Sequence, residues 1–150
     1  MIFLIQECLK ASVTVDDKEV SKIDKGFVIF VGFTLSDNKT IVDKMIDKLL
    51  KARIFPDDRG LTNLSIKDID GQILAVSQFT LYASLKEGNR PSFTNALRKE
   101  ESVILYDYFK DEISKKYPRC EFGIFHADMK VSLINDGPFT IILDSKEVIK

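Results

Sequence analysis

The chain has 150 residues, 45% hydrophobic and 30% charged, with 11 Phe, 4 Tyr and no Trp. That is the size and burial capacity of one globular domain, and it excludes both disorder and a division into separately folded halves. Lys plus Arg number 22 against 23 Asp plus Glu, a net charge of -1, so bulk attraction to a polyanion is excluded and any such contact must be local.

No run approaches the roughly 20 apolar residues of a membrane helix, and the opening Met1-Ile2-Phe3-Leu4-Ile5 has no basic leader and stops at Gln6-Glu7. The expectation is a cytoplasmic protein with no membrane anchor and no secretion signal. Cys8 and Cys120 form no CxxC pair, and His126 is the single histidine, so neither a disulfide framework nor a zinc quartet is expected. Neither GxxxxGK[ST] nor GxGxxG occurs, so no cofactor and no metal are expected. A Ser-His-Asp triad would have to recruit His126 from Phe125-His126-Ala127-Asp128, where a structural role is the simpler reading.

In chain order, residues 1 to 5, 11 to 15 and 18 to 23 read as short strands, with Asp16-Asp17 as a hairpin turn. Gly26 opens another strand, Phe27 to Phe33, apolar enough to be buried on both faces. From Asp37 to Ile54, Ile41, Val42, Met45, Ile46, Leu49 and Leu50 repeat at helical spacing. Asp37 and Asn38 are available N-caps, and Lys44, Lys48 and Lys51 form a solvated face, with contact to phosphate the alternative. Pro56 to Gly60 is a turn, and Gln72 to Thr80 is a strand.

A second helix is predicted over Lys99 to Lys116, with Val103, Tyr106, Phe109 and Ile113 near one stripe, and Tyr117-Pro118 ends it. Strands follow over Cys120 to Phe125, Met129 to Asn135 and Phe139 to Leu143, the last two joined through Asp136-Gly137-Pro138. No linker, repeat or low-complexity tract divides the chain, so residues 1 to 150 form one domain. The fold class is α+β: a layered or barrel-like sheet system with two main helices packed on one side.

Two segments carry the chemistry. Ser77-Gln78-Phe79-Thr80-Leu81-Tyr82 ends a hydrophobic strand in hydroxyl and amide groups, which also suits local satisfaction of the backbone. Asn135-Asp136-Gly137-Pro138-Phe139-Thr140 is first a turn sequence. Together with Gly88-Asn89-Arg90-Pro91-Ser92-Phe93, Ala127-Asp128-Met129-Lys130-Val131-Ser132-Leu133, Ala11-Ser12-Val13-Thr14-Val15 and Arg53-Ile54-Phe55, they give nearly the whole chain a pattern that resembles the D-aminoacyl-tRNA deacylase family. The ordered pair Ser-Gln-Phe-Thr and Asn-x-Gly-Pro-x-Thr is its most specific part.

The resemblance implies an esterase that cleaves a D-amino acid from the 3′-terminal adenosine of tRNA, working as a homodimer. It places Gly137-Pro138 as a cis pair reaching into the partner's pocket, with Ser77, Gln78, Phe79 and Thr80 beside the dimer interface. Such a corner aims carbonyl oxygens at the substrate ammonium and occupies the space an L side chain needs, so selection works by exclusion. Glycine has no side chain to exclude, and glycyl-tRNA is an expected second substrate.

For the chemical step, backbone N–H groups at Phe79 or Thr80 are the candidate oxyanion donors. Thr80 as nucleophile and water assisted by the tRNA 2′-hydroxyl are both open, the latter favoured because no base adjoins Thr80 in sequence. Ser77 then shapes the pocket and Gln78 orients the substrate. Met129 lines an adenosine pocket or packs in the core, Phe79 stacks on the base or packs inside, and Lys86 and Arg90 reach phosphates or simply face solvent. Asn135, Gly137 and Pro138 complete the substrate-binding set. Two residues depart from the family pattern: Glu7 stands where many relatives carry arginine, and His126 where small residues are usual. Glu7 keeps open a non-catalytic tRNA-binding or dimerisation module of the same fold, while a generic small-molecule esterase lacks a nucleophile elbow to support it.

Overall fold

A computed structural model describes residues 1–149 of the chain. Eight strands and three helices follow the order β1 (Ile2–Val15), β2 (Lys18–Ile23), β3 (Gly26–Gly32), α1 (Lys39–Lys51), β4 (Phe55–Pro56), β5 (Thr62–Leu64), β6 (Gln72–Ser77), α2 (Lys99–Lys116), β7 (Cys120–Phe122), β8 (Lys130–Asp144) and α3 (Ser145–Val148). The main sheet runs β2-β1-β3-β6-β7, with β8 also on β1, and β4 and β5 form a separate small pair. β2 curls round to meet β6 and β7, which makes the sheet nearly a barrel. The single α+β domain with helices on one side is as the sequence pattern predicts.

β3 and β6 are parallel neighbours at the centre and are buried on both faces. Phe27, Ile29, Val31, Ile73 and Ala75 join the core shared with the helices, whereas Val28, Leu74 and Val76 join a second core inside the curled sheet. Parallel strands buried on both sides need an unbroken apolar run, and these two supply it. Gly26 is required where the pair begins, because a Cβ there would lie 1.8 Å from the Gln72 carbonyl oxygen. At the hairpin, Asp16 and Asp17 both have positive φ, 48° and 61°, matching the hand of a two-residue turn between twisted strands.

α1 forms because its apolar spacing puts Val42, Met45, Ile46, Leu49 and Leu50 on one buried stripe, and Asn38 caps it by accepting from the Ile41 N–H at 3.1 Å. Asp37 does other work: it accepts from Thr34 N and from the Met1 amino group, both at 2.7 Å. α2 covers the predicted residues, but its buried face is Ser102, Leu105, Tyr106, Phe109 and Ile113, with Val103 only half-buried.

Three strand predictions are corrected. Residues 1 to 5 and 11 to 15 belong to one continuous β1, because Gln6 to Cys8 still pair with β3 on one side and the strand keeps pairing with β8 on the other. An extra residue between Cys8 and Ala11 bulges the strand and turns its inward face from the helix-side core to the second core. The strand predicted to reach Thr80 stops at Ser77, and Phe79–Tyr82 form a 3-10 turn. Finally, Met129 to Asn135 and Phe139 to Leu143 are not two strands joined by a turn. Both halves pair antiparallel with β1, so they make one strand, β8, interrupted by a protrusion.

Candidate active site

The end of β6 is held by one backbone and one side-chain hydrogen bond. Gln78 N donates to the Val31 carbonyl at 2.8 Å, and the buried Tyr106 hydroxyl of α2 donates to the Ala75 carbonyl at 3.1 Å. Beyond Ser77 the chain tightens into the 3-10 turn, whose first two N–H groups, those of Phe79 and Thr80, have no acceptor within the turn. The Gln78 side-chain amide donates to the Thr80 hydroxyl. Phe79 is 53% exposed and meets the edge of Phe93 at 5.0 Å between centroids.

A cavity of about 560 Å³ opens at this strand end. Val31, Phe33, Val76 and Leu97, all buried, give it an apolar wall, and Ser77, Gln78, Phe79 and Met129 also line it. Met129 packs on the second core as well, so its position suits both of the roles open to it in the sequence. The loop from Phe125 to Asp128 closes another side, with His126 held at φ +65°, a left-handed value that among non-glycine residues Asn, Asp and His adopt most readily.

Thr80, Asn135, Gly137 and Pro138 do not line this cavity. The last three belong to the protrusion of β8. Between the pairs Gln6↔Thr140 and Cys8↔Asn135, β1 spends one residue, Glu7, while β8 spends four, Asp136 to Phe139. The surplus must leave the sheet, and Asp136, Gly137 and Pro138 are exposed. Asn135 braces the excursion: its carbonyl oxygen accepts from Phe139 N at 3.0 Å, and its amide donates to Thr140 Oγ1 at 2.9 Å. Gln6 donates to the same Thr140 oxygen at 3.1 Å. Gly137 takes φ +132°, open to glycine and strained for other residues, and the Gly137–Pro138 peptide is cis.

Under the protrusion lies Glu7, 7% exposed. Burial raises its pKa above the ordinary 4.5, the nearby Asp136 carboxylate raises it further, and Lys25 partly opposes them. Both cysteines are poor nucleophiles. Burial pushes Cys8 up to about 11 and Cys120 up to about 12, so both are thiols at neutral pH. Among the described residues no group of His, Cys, Asp and Glu side chains could hold a metal ion, and no helix is long and apolar enough to cross a membrane.

The family model of D-Tyr-tRNA(Tyr) deacylase matches residues 4–144. The chain belongs to this family. The D-aminoacyl-tRNA deacylase of Lactobacillus gasseri is 51% identical over 144 residues, 96% of this chain and 99% of that protein. That of Flavobacterium psychrophilum is 49% identical over 147 residues, 97% and 98% of the two chains. Among solved structures, a c-Myc DNA unwinding element binding protein superposes with a TM-score of 0.91 at 35% identity, covering 96% of this chain and 98% of the other. A probable eukaryotic D-amino acid tRNA deacylase superposes with a TM-score of 0.84 at 18% identity, over 95% and 97% of the two chains, a likeness of fold. The chain is a hydrolase of this family's kind.

The candidate residues read from the sequence fall in two places. Ser77, Gln78 and Phe79 share the cavity with Met129, while Asn135, Gly137 and Pro138 stand together elsewhere on the same chain. Lys86 and Arg90 lie exposed in the loop around Gly88 and are not in the cavity wall. The sequence reading passed over Arg98, Lys99 and Ser102 at the start of α2, which line the cavity. Their only signal was the basic pair Arg98-Lys99 at the start of a helix.

Proposed function

We propose that the chain hydrolyses the ester between a D-amino acid and the 3′-terminal adenosine of tRNA, freeing both, as a chiral proofreading step in the cytoplasm. The working unit is a homodimer in which each Gly137-Pro138 corner enters the partner's cavity. The observation that carries this reading is the division of the site. In a family of deacylases, an apolar cavity opens beside Ser77 to Phe79, and the Gly-Pro corner is exposed on an edge strand, outside its own chain's cavity.

The corner offers main-chain carbonyl oxygens to the substrate ammonium and fills the space an L side chain would occupy, so discrimination is steric. Glycyl-tRNA, with no side chain to exclude, is also hydrolysed. As the ester carbonyl becomes tetrahedral, the N–H groups of Phe79 and Thr80 stabilise the developing oxyanion. Water attacks with assistance from the tRNA 2′-hydroxyl. The Thr80 hydroxyl accepts from the Gln78 amide, a donor that cannot take its proton, which argues against attack by Thr80. Ser77 shapes the pocket wall.

The test incubates purified protein with matched D-, L- and glycyl-tRNAs and with free D-amino-acid esters. Rapid release from D-aminoacyl-tRNA and glycyl-tRNA, with the L form and free esters left intact, is the expected result. Equal rates on the two enantiomers would remove the reading. Sedimentation supplies the second half, with a dimer expected and a monomer at assay concentration contradicting the shared site. A non-catalytic tRNA-binding module is the second reading, favoured by the buried Glu7 carboxylate beneath the corner; tRNA binding without any release would select it.

A further inference from the structure

One wall of the cavity is carried by an irregular segment. Phe93, Ala96 and Leu97 line the cavity, and they belong to a turn before α2 that Ala96 N closes on the Phe93 carbonyl at 3.0 Å. With so little backbone pairing of its own, such a segment keeps its place only if something outside holds it. The end of β3 does so. Leu97 N donates to the Phe33 carbonyl at 3.0 Å, Thr34 and Ala96 form an antiparallel bridge, and the Thr34 hydroxyl donates to the Asn95 carbonyl at 2.6 Å.

Thr34 is buried and is itself fixed. Its N–H donates to Asp37 Oδ2 at 2.7 Å, and its carbonyl accepts from Asp37 N at 3.1 Å. The other oxygen of the buried Asp37 carboxylate accepts from the Met1 amino group, so the aspartate is held at both oxygens. The same strand end also carries the Phe79–Tyr82 turn. Gly32 lies so close to it that a Cβ would stand 3.1 Å from both the Gln78 carbonyl oxygen and Leu81 Cβ. Wall and turn then meet directly, because the Phe93 and Phe79 rings pack edge to face with centroids 5.0 Å apart. Phe79 supplies one of the turn N–H groups that has no acceptor within the turn. A line of contacts thus runs from the Thr34 hydroxyl through the Asn95 carbonyl and the Phe93 ring to an oxyanion donor, although Thr34 does not line the cavity.

We propose that Thr34 is a positioning residue for deacylation: its hydroxyl fixes the Phe93 to Leu97 wall, and Phe93 in turn fixes Phe79 and its N–H. The proposal rests on the deacylase reading and adds to it a residue that touches no substrate. Its effect falls on turnover, because the charge that the Phe79 N–H stabilises develops only in the transition state.

The test measures kcat and KM on D-aminoacyl-tRNA for Thr34→Val, Thr34→Ser, Phe93→Ala and the Thr34→Val, Phe93→Ala double variant. Thr34→Val keeps the shape and loses the donor; kcat is expected to fall about tenfold with KM within about twofold of the parent. Thr34→Ser keeps the donor, and its kcat should stay within about twofold. Phe93→Ala lowers kcat at least as far as Thr34→Val, and the double variant is no slower than Phe93→Ala alone, since both changes act along one line. Thermal melting of each variant separates loss of fold from loss of turnover. Phe93 is 40% exposed, so its truncation leaves the core in place and decides the matter even where Thr34→Val melts early. An unchanged kcat in Thr34→Val or in Phe93→Ala, a Thr34→Ser as slow as Thr34→Val, or effects that multiply in the double variant overturn the proposal and leave the deacylase reading standing. An intact protein that hydrolyses no D-aminoacyl-tRNA overturns both.

Discussion

The two regions proposed to make up the site are built by opposite means. Ser77 to Phe79 stand at the end of a strand buried on both faces, fixed by a backbone bond from Gln78 to Val31 and by the buried Tyr106 hydroxyl on the Ala75 carbonyl. The Asp136 to Phe139 excursion stands on the sheet's edge strand, largely exposed, fixed by the side chains of Asn135 and, through Thr140, Gln6. One half inherits its rigidity from the core. The other depends on three local hydrogen bonds, each of which contributes about 1 kcal/mol. Damage to the first half should therefore appear in stability, and damage to the second in turnover and enantiomer discrimination.

The largest effect should come from the core half. Gly26→Ala would put a methyl 1.8 Å from the Gln72 carbonyl and part β3 from β6, a loss of about 3 kcal/mol or more in urea unfolding. An unchanged midpoint would break the contrast. Next is Gly137→Ala on the other half. Its φ of +132° is strained for alanine, and a Cβ would stand 3.1 Å from Phe139 N, so D-aminoacyl-tRNA turnover should fall by about 10²-fold. Its stability should stay within about 1 kcal/mol of the parent, since the corner is exposed. A smaller effect is expected for Asn135→Ala, which frees Phe139 N and Thr140. It should cost about 1 kcal/mol in unfolding and narrow the ratio of D to L rates.

The smallest effect concerns Glu7, which lies between the two halves. Its folded pKa is raised above 4.5 by burial and Asp136, so the native state binds the proton more tightly than the unfolded chain. Stability then falls as pH rises from 4.5 through the folded pKa, and the charged form is a burden above it. Glu7→Gln should stabilise the protein at neutral pH, with the gain vanishing as pH falls below 4.5. A gain of equal size at low pH would contradict this assignment of the cost to charge.

What the sequence made legible follows the same division. α1, β3 and α2 were readable because each carries its burial pattern within its own residues, an apolar stripe or an unbroken apolar run. The continuity of β1 and β8 was not, because polar Gln6-Glu7 and the Gly-Pro corner look like breaks until the partner strands are known to pair on either side. The Ser77 and Gly137 segments were visible as motifs, yet their separation on the single chain is a tertiary fact. Arg98, Lys99 and Ser102 carried almost no local signal, since only the packing of α2 beside β6 brings them to the cavity. His126 was noticed for its identity, whereas its φ of +65° belongs to the loop geometry.

The central claim is that main-chain atoms and shape, with no ionisable triad, sense the hand of the amino acid. Its most direct test is the ratio of deacylation rates for one tRNA charged with the D and with the L form of the same amino acid, measured on the intact protein and on Gly137→Ala. The account predicts a large preference for the D form that shrinks when the corner is altered. A preference that survives unchanged in the variant, or equal rates in the intact protein, would contradict it.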